Sequence, residues 1–479
     1  MGHHAPFAAL ASLALFCGCA SVSPDKSFRE VQALAAERGI AHVRWNQDSR
    51  ADAEAAQAVH ELLEHELTAD VAVQIALLGN QRLQATFEEL GIAQADLVQA
   101  GLLRNPVFYG EVRFPPHPRV SPLELDVVQN FMDLFLLPLR KRLAEAQLES
   151  VKAQVAGAVL ELAAKTRVDF YALQAALQML QLQTTIVEAQ SASADAAQRV
   201  HDAGNTTDLD LANEKALLAQ AQIELVMAEE HMLDAREELT TTLGLPSGDF
   251  SLEPGLPEIP AQEPDAADLE AFALSRRLDL SAARADLEAF ARAAGFARYQ
   301  ALNEVNLGLH LEREPEGTTT IGPSLELSLP IFDRGVAARA RALAMLRQSE
   351  RRYDALVIQA RSEVRRERNH VLSARKRAEH FRVTLLPLRE QIVQDTLLRY
   401  NGMLVGVFQL LQAKQEAIEA GKDYVEALQE YWTARTELEL TVGGRMPEGT
   451  QADEPGGAAP AEPKPVEDAH KEHQHGEKP

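Results

Sequence analysis

From Val305 the chain alternates: Val305, Leu307, Leu309 and Leu311 are apolar, with Asn306, Gly308, His310 and Glu312 between them. Leu325, Leu327 and Leu329 alternate with Glu326 and Ser328 in the same way. A period of two sends successive side chains to opposite faces, so each run predicts a strand with one apolar and one polar face. An earlier stretch does this less cleanly. There Phe108, Val112 and Phe114 oppose Tyr109, Glu111 and Arg113, while Leu123, Leu125, Val127 and Phe131 oppose Glu124, Asp126 and Asn130. The pattern predicts two β-hairpins with strands of about nine to eleven residues, the length that crosses a bilayer. The alternative is a small soluble sheet packed on helices.

After each hairpin the period lengthens. Val151, Val155, Val159, Leu162, Thr166, Phe170, Leu173, Leu177, Leu180, Thr184 and Val187 step by threes and fours, one face of a helix. Val357, Val364, Val371, Ala378 and Leu385 recur every seven residues, beside a second track of Leu346, Tyr353, Ala360, Ala374 and Phe381 that Glu367 interrupts. Arg140 to Val200 and Gly335 to Arg399 are predicted as coiled-coil helices of about 90 Å each, with Pro387 kinking the second.

The two halves are copies. Asp234 to Gly244 and Thr433 to Gly443 share six of eleven residues at an offset of 199. Within one residue, the same offset relates Asn105–Gly110 to Asn303–Gly308 and Gly204 to Gly402. The expected organisation is a signal peptide (1–18), an N-terminal lipid-anchored segment (19–67), a first repeat (68–244), a Pro-rich linker (245–268), a second repeat (269–443) and a His-containing tail (444–479) with the composition of a disordered segment. The fold class is mainly α with a small membrane β part, four strands per chain.

Composition narrows the function. With 46% hydrophobic, 25% charged and 5% aromatic residues, the chain favours long helices over sandwiches. A net charge of −24 argues against nucleic-acid binding. The helix from Arg339 to Arg382 holds thirteen Lys or Arg against five acids, and is expected to meet acidic helices of the same assembly. The two cysteines, Cys17 and Cys19, follow a short apolar stretch from Ala8 to Phe16, so no internal disulfide is expected. Phe16-Cys17-Gly18-Cys19 resembles a bacterial lipobox with Cys19 as the acylated residue; His3 and His4 stand where basic residues are usual, and Phe16 where Leu is. The alternative is an ordinary cleaved signal. No dinucleotide, Walker, zincin or nucleophile-elbow motif occurs, so neither an enzyme nor a cofactor is expected.

Four strands cannot close a barrel, and open sheet edges are not tolerated in lipid, so membrane strands would require several chains to share one barrel. The chain resembles the TolC-like outer-membrane efflux proteins, over about Thr68 to Gly444. The resemblance rests on Ala100-Gly101-Leu102-Leu103-Arg104-Asn105-Pro106, on Leu327-Ser328-Leu329-Pro330-Ile331-Phe332-Asp333-Arg334-Gly335, and on Arg399-Tyr400-Asn401-Gly402 with Leu410-Leu411-Gln412-Ala413. It departs at Leu278, where the family usually has Pro. The resemblance implies a homotrimeric α/β-barrel duct in the outer membrane, its helices in the periplasm, docked to a periplasmic adaptor and an inner-membrane pump. It further implies export of small solutes, metal ions or drugs, and the heavy-metal and copper resistance branch is considered. A type I protein-secretion duct and a pore-less periplasmic coiled-coil lipoprotein remain alternatives.

Three groups of residues are candidate sites. The helical turnarounds at Gly204, Asn205 and Thr206, and at Gly402, Val405, Gly406 and Val407, are similar to adaptor-docking tips; the glycines are expected to supply positive φ, and Val405-Gly406-Val407 an exposed apolar tip. Gln409, Gln412, Glu416, Glu419 and Asp423 lie on one helical stripe that Glu426 and Glu430 extend, a candidate pore entrance and lumen. In the family the positions of Gln409 and Gln412 often carry acids. His470, His473 and His475 form a candidate metal site on the tail, whereas His60 and His65 are expected to be surface residues without a ligand.

Overall fold

The computed structural model describes residues 22–446 except 115, 117–119, 254, 261–265, 298–304 and 330. Cys19, His470, His473 and His475 lie outside the described residues. Four helices come first: α1 (Asp25–Ala36), α2 (Ser49–Leu63), α3 (Ala69–Gly79) and α4 (Gln81–Ala100). Strands β1 (Val107–Val112) and β2 (Leu123–Asn130) lead into α5 (Met132–Asp202), which returns through α6 (Asp208–Leu243). The order then recurs with α7 (Ala266–Arg276), α8 (Leu278–Ala297), β3 (Val305–Arg313), β4 (Thr319–Leu327), α9 (Val336–His380), α10 (Leu386–Asn401) and α11 (Val407–Thr441). Among the described residues, no helix is long and apolar enough to cross a membrane.

The strands form one antiparallel sheet in the order β1-β2-β3-β4, with both hairpin loops at the end away from the helices. β3 and β4 have nine residues each, as expected. β1 and β2 have six and eight, shorter than expected. Pro122 explains part of this: the Arg113 N–H still bonds its carbonyl at 3.0 Å, but the proline has no N–H to return the bond and extend the ladder. At the other end Asp133 is buried; it accepts the Arg104 N–H at 3.3 Å and pairs with the Arg104 and Arg140 guanidiniums at 3.4 Å each. This clasp ties the segment before β1 to the start of α5.

α5 runs 71 residues, begins eight residues earlier than expected and carries Pro138 near its start. Its buried face follows the expected stripe through Val155, Val159, Thr166, Phe170 and Leu173. Farther on it moves to Ile186, Gln190, Ser193, Ala194 and Ala197, leaving Thr184 exposed. A 3.6-residue helix drifts about 20° per heptad relative to a 3.5 repeat, which shifts the seam over this length. Between α9 and α10 the backbone widens into a π turn at Phe381–Leu385, immediately before Pro387. Proline lacks the N–H for Val383 and its ring crowds that carbonyl, so the added residue per turn absorbs the break.

Three apolar clusters make a belt that takes the middle of α5 and the C-terminal ends of α6 and α11. One joins Val31, Trp45, Phe87, Val159 and Leu278; a second joins Ile75, Phe170, Leu173, Leu239 and Leu243; the third joins Leu269, Val364, Val371, Tyr431 and Leu438. The two repeats are fastened into this belt by the same joint. Gly244 ends α6 at φ +74 with its Cα against the α3–α4 break, where an added Cβ would lie 2.5 Å from the Gly79 carbonyl oxygen. Gly443, just past α11, sits at φ +88 against the α7–α8 break, 3.0 Å from Arg277 N on the same test. Side chains at the two breaks complete the match: Asn80 Nδ2 donates to the Thr242 carbonyl at 2.9 Å and Arg277 Nη1 to the Thr441 carbonyl at 3.3 Å.

Gly204 has nearly the same φ, +75, but open space around it. Gly204→Ala should therefore cost only the left-handed backbone term of about 1 kcal/mol, whereas Gly244→Ala must also displace main chain and should cost at least about 2 kcal/mol. Unfolding midpoints of the detergent-solubilised variants check this; equal shifts would contradict the joint.

Candidate functional site

The cross-strand register sorts the sheet into two faces. Phe108, Val127, Leu309 and Pro323 form one row, with Leu125, Leu311 and Ile321 next to it and Leu307 and Leu325 on the other side. All of these point to one face. On the other lie Tyr109, Asp126, His310 and Gly322, then Glu111, Glu124, Glu312 and Thr320, then Asn130, Asn306 and Glu326. Phe108, Ile321 and Leu325 are 65–67% exposed, so no described residue covers the apolar face. Exposed apolar residues continue at both ends, with Phe114 by the loops and Leu134, Phe135, Leu329, Ile331 and Phe332 by the helices. An uncovered apolar band flanked by aromatics, with a polar opposite face, is the signature of a barrel wall between lipid and water.

The outer edges of β1 and β4 pair with no strand of the described chain. The helical wall is open at its edges too. α5 packs between α6 and α11, and α11 against α9 and α10. Ile223, Val226, Met227 and Leu233 of α6 are exposed at one side, and Val383, Leu388, Ile392 and Leu398 around α10 at the other. Both the strands and the helices thus present two different unsatisfied edges, the requirement for a closed ring of copies.

At the first turnaround Gly204 takes the expected positive φ, and Thr207 caps α6 in a capping box with Asp210. Asn205 and Thr206 are at its surface, and Thr206 Oγ1 donates to Asp210 Oδ2 at 3.0 Å. His201 Nε2 lies 2.7 Å from Asp208 Oδ1, clasping the turn, and this carboxylate, followed by Asp202, holds the imidazole pKa above its usual value. The second turnaround corrects the expectation about glycine. Gly402 has φ −79 and Gly406 φ −80; the positive φ, +56, falls on Met403 instead. Gly406 serves as the extended N-cap of α11, and the chain reverses one residue after Gly402. The exposed apolar surface is likewise displaced, with Met403 at 93% and Leu404 at 78%, while Val405 and Val407 are half-buried.

Gln409, Gln412 and Asp423 are exposed along α11, and Glu416 and Glu419 half-buried. The acids of this stripe are partly neutralised. Glu416 pairs with Arg389 of α10 and accepts from Gln412 at 3.1 Å; Glu419 meets Lys422 at 3.1 Å; Glu430 pairs with Arg377 of α9. The basic helix does face an acidic one, as its charge pattern implied. Arg389 was missed from the sequence because its partner lies 27 residues away across a turnaround. Its signal was an arginine on the helix leading into the turnaround, at the height of Glu416 on the returning helix.

A polar cleft of about 780 Å³ in the belt lies between the N-terminal segment, α5 and α11. In it, burial raises the Glu439 carboxyl pKa, although Arg167 at 3.4 Å and Arg435 at 3.8 Å oppose the shift. His60 and His65 are exposed, as expected. A group the sequence did not single out is Glu124, Asp126 and His310 on the polar face of the sheet, whose ligand atoms lie within 4.8 Å of one another. Alternating polar positions on neighbouring strands signalled it, but only the register brings them together.

The profile of the outer membrane efflux proteins matches residues 137–245 and 271–444. The cobalt-zinc-cadmium resistance protein CzcC of Cupriavidus metallidurans is 24% identical over 388 residues, covering 79% of this chain and 90% of that protein. The pyoverdine export outer membrane protein OpmQ of Pseudomonas putida is 28% identical over 221 residues, 42% of this chain and 43% of that one. Among solved structures, the outer-membrane channel OprN superposes with a TM-score of 0.65 at 21% identity, covering 86% of this chain and 95% of OprN. CusC superposes at 0.63 and 15% identity, over 79% and 93%. With more than half of its length matched, on two segments of a repeated helix–hairpin fold, this chain belongs to the outer membrane efflux protein family, whose members are channels and not enzymes.

Proposed function

We propose that three copies of this chain close one twelve-stranded barrel in the outer membrane, and that the long helices continue it as a periplasmic tube. The observation carrying this reading is the two-faced sheet with two open edges, which lipid tolerates only when copies pair them. In this reading Cys19 is acylated and adds a lipid anchor, while the two helical tips meet a periplasmic adaptor that links the duct to an inner-membrane pump. The cargo is a small solute. The resistance function in the name of CzcC, which aligns along most of its length, favours divalent metal cations. The name of OpmQ favours a small organic solute as the second reading. The tail histidines, His470, His473 and His475, would offer imidazoles to such metals.

Purified in detergent, the protein should have the native mass of three chains and should conduct ions in planar bilayers; a monomer without conductance would overturn the duct. Palmitate label should enter the wild type and be lost in Cys19→Ala.

Leu404→Glu should weaken adaptor binding about 10-fold or more, about 1.4 kcal/mol, and abolish export with the trimer intact. The residue is 78% exposed, so a charge there harms docking and not the core. Normal pull-down and export with this variant and with Gly406→Glu would remove the docking role.

Glu416 already faces Arg389. If the stripe lines the lumen, reversal potentials under a salt gradient should show cation preference that Asp423→Asn reduces more than Glu416→Gln, and that Arg389→Gln increases. Identical reversal potentials in all three variants would put the stripe outside the conduit.

A further inference from the structure

The polar face of the sheet holds one imidazole among several carboxylates. His310 on β3 stands directly opposite Asp126 on β2, and its Nδ1 lies 2.8 Å from Asp126 Oδ1. Its Nε2 turns toward the next row, 3.8 Å from Glu312 Oε2. In that row Glu124 stands opposite Glu312. The ligand atoms of Glu124, Asp126 and His310 lie within 4.8 Å of one another. Ligand bonds of about 2.0–2.2 Å place donors up to about 4 Å apart around one ion, so a small side-chain rotation closes the set. On the β4 side the partner of His310 is Gly322, where an added Cβ would have open space around it, so the imidazole is approachable from the water-facing side. Arg113 Nη2 holds Glu124 Oε2 at 2.9 Å and Arg113 Nε holds Glu111 Oε1 at 2.7 Å, which leaves the other oxygen of Glu124 for a cation.

We propose that Glu124, Asp126 and His310, with Glu312 beside them, form a divalent-cation station on the lumen wall of the barrel. An imidazole joined to carboxylates selects a borderline first-row ion such as zinc or cobalt over magnesium, which prefers an all-oxygen shell. The site is shallow and half-exposed, and three protein ligands leave further positions to water. That suits transit, since conduction needs binding strong enough to attract an ion and weak enough to release it. The station rests on the duct reading above, which would put three of them at one level of the pore, and it narrows the cargo toward borderline metals.

The test uses the full-length protein in planar bilayers and, separately, in detergent. Zinc should lower single-channel conductance at concentrations where magnesium does not. His310→Asn should raise the half-blocking zinc concentration about 10-fold or more while keeping the zinc-free conductance, and Asp126→Asn should act in the same direction. Equal zinc block in wild type and both variants, or magnesium as effective as zinc, overturns the station. In detergent, titration with cobalt should give ligand-field absorption that His310→Asn reduces by one site per chain; the tail histidines are present in both proteins and cancel. If no conductance is seen at all, the duct reading fails, and the cobalt difference alone decides the station: its presence supports the site and its absence overturns it.

Discussion

Backbone groups at the edge of a sheet must find partners, and in lipid the partner cannot be water. In this chain the constraint falls on β1 and β4, the outer strands of a sheet whose apolar face is left uncovered by the described residues. The same incompleteness recurs in the helical part, where α6 and α10 expose apolar residues on opposite sides of the wall. A chain with two different open edges at both levels has the edges that a ring of copies would pair. In the proposed duct, the two hairpins supply the barrel strands, and the helices after each hairpin supply the tube wall.

Helices this long need to be held somewhere, and the belt does that. The three apolar clusters hold the middle of α5, the second half of α9 and the C-terminal third of α11, not their whole length. Each repeat docks there by the same device: a left-handed glycine after its last helix, lodged against the break between its first two helices. Asn80 and Arg277 differ chemically but reach equivalent threonine carbonyls, which shows how the joint survives sequence divergence. Beyond the belt, seams with small and polar residues such as Ser193, Ala194 and Gln190 replace the larger apolar core. Arg377 of α9 and Arg389 of α10 each pair with an acid of α11, so the net charge of −24 says little about the field at any one surface.

The sequence by itself determined the element types, the repeat and the family, because these rest on local periodicity: a period of two for strands, three and four for helices, and a recurring offset of 199. It also located both turnarounds and the acidic stripe. The tertiary structure decided what depends on partners distant in sequence. The π turn before Pro387 and the positive φ at Met403 are choices of how to satisfy a local stress, and composition permits several. Glycines at 402 and 406 made left-handed turns available there, yet the positive φ fell on Met403. Whether Glu416 is a free charge depended on Arg389 arriving from another helix. Above all, Asp126 and His310 became neighbours only through the register of β2 against β3, 184 residues apart in the chain. A one-residue slip in that register would have sent the imidazole's strand to the opposite face, and no pattern along a single strand encodes which rung of its partner it will meet.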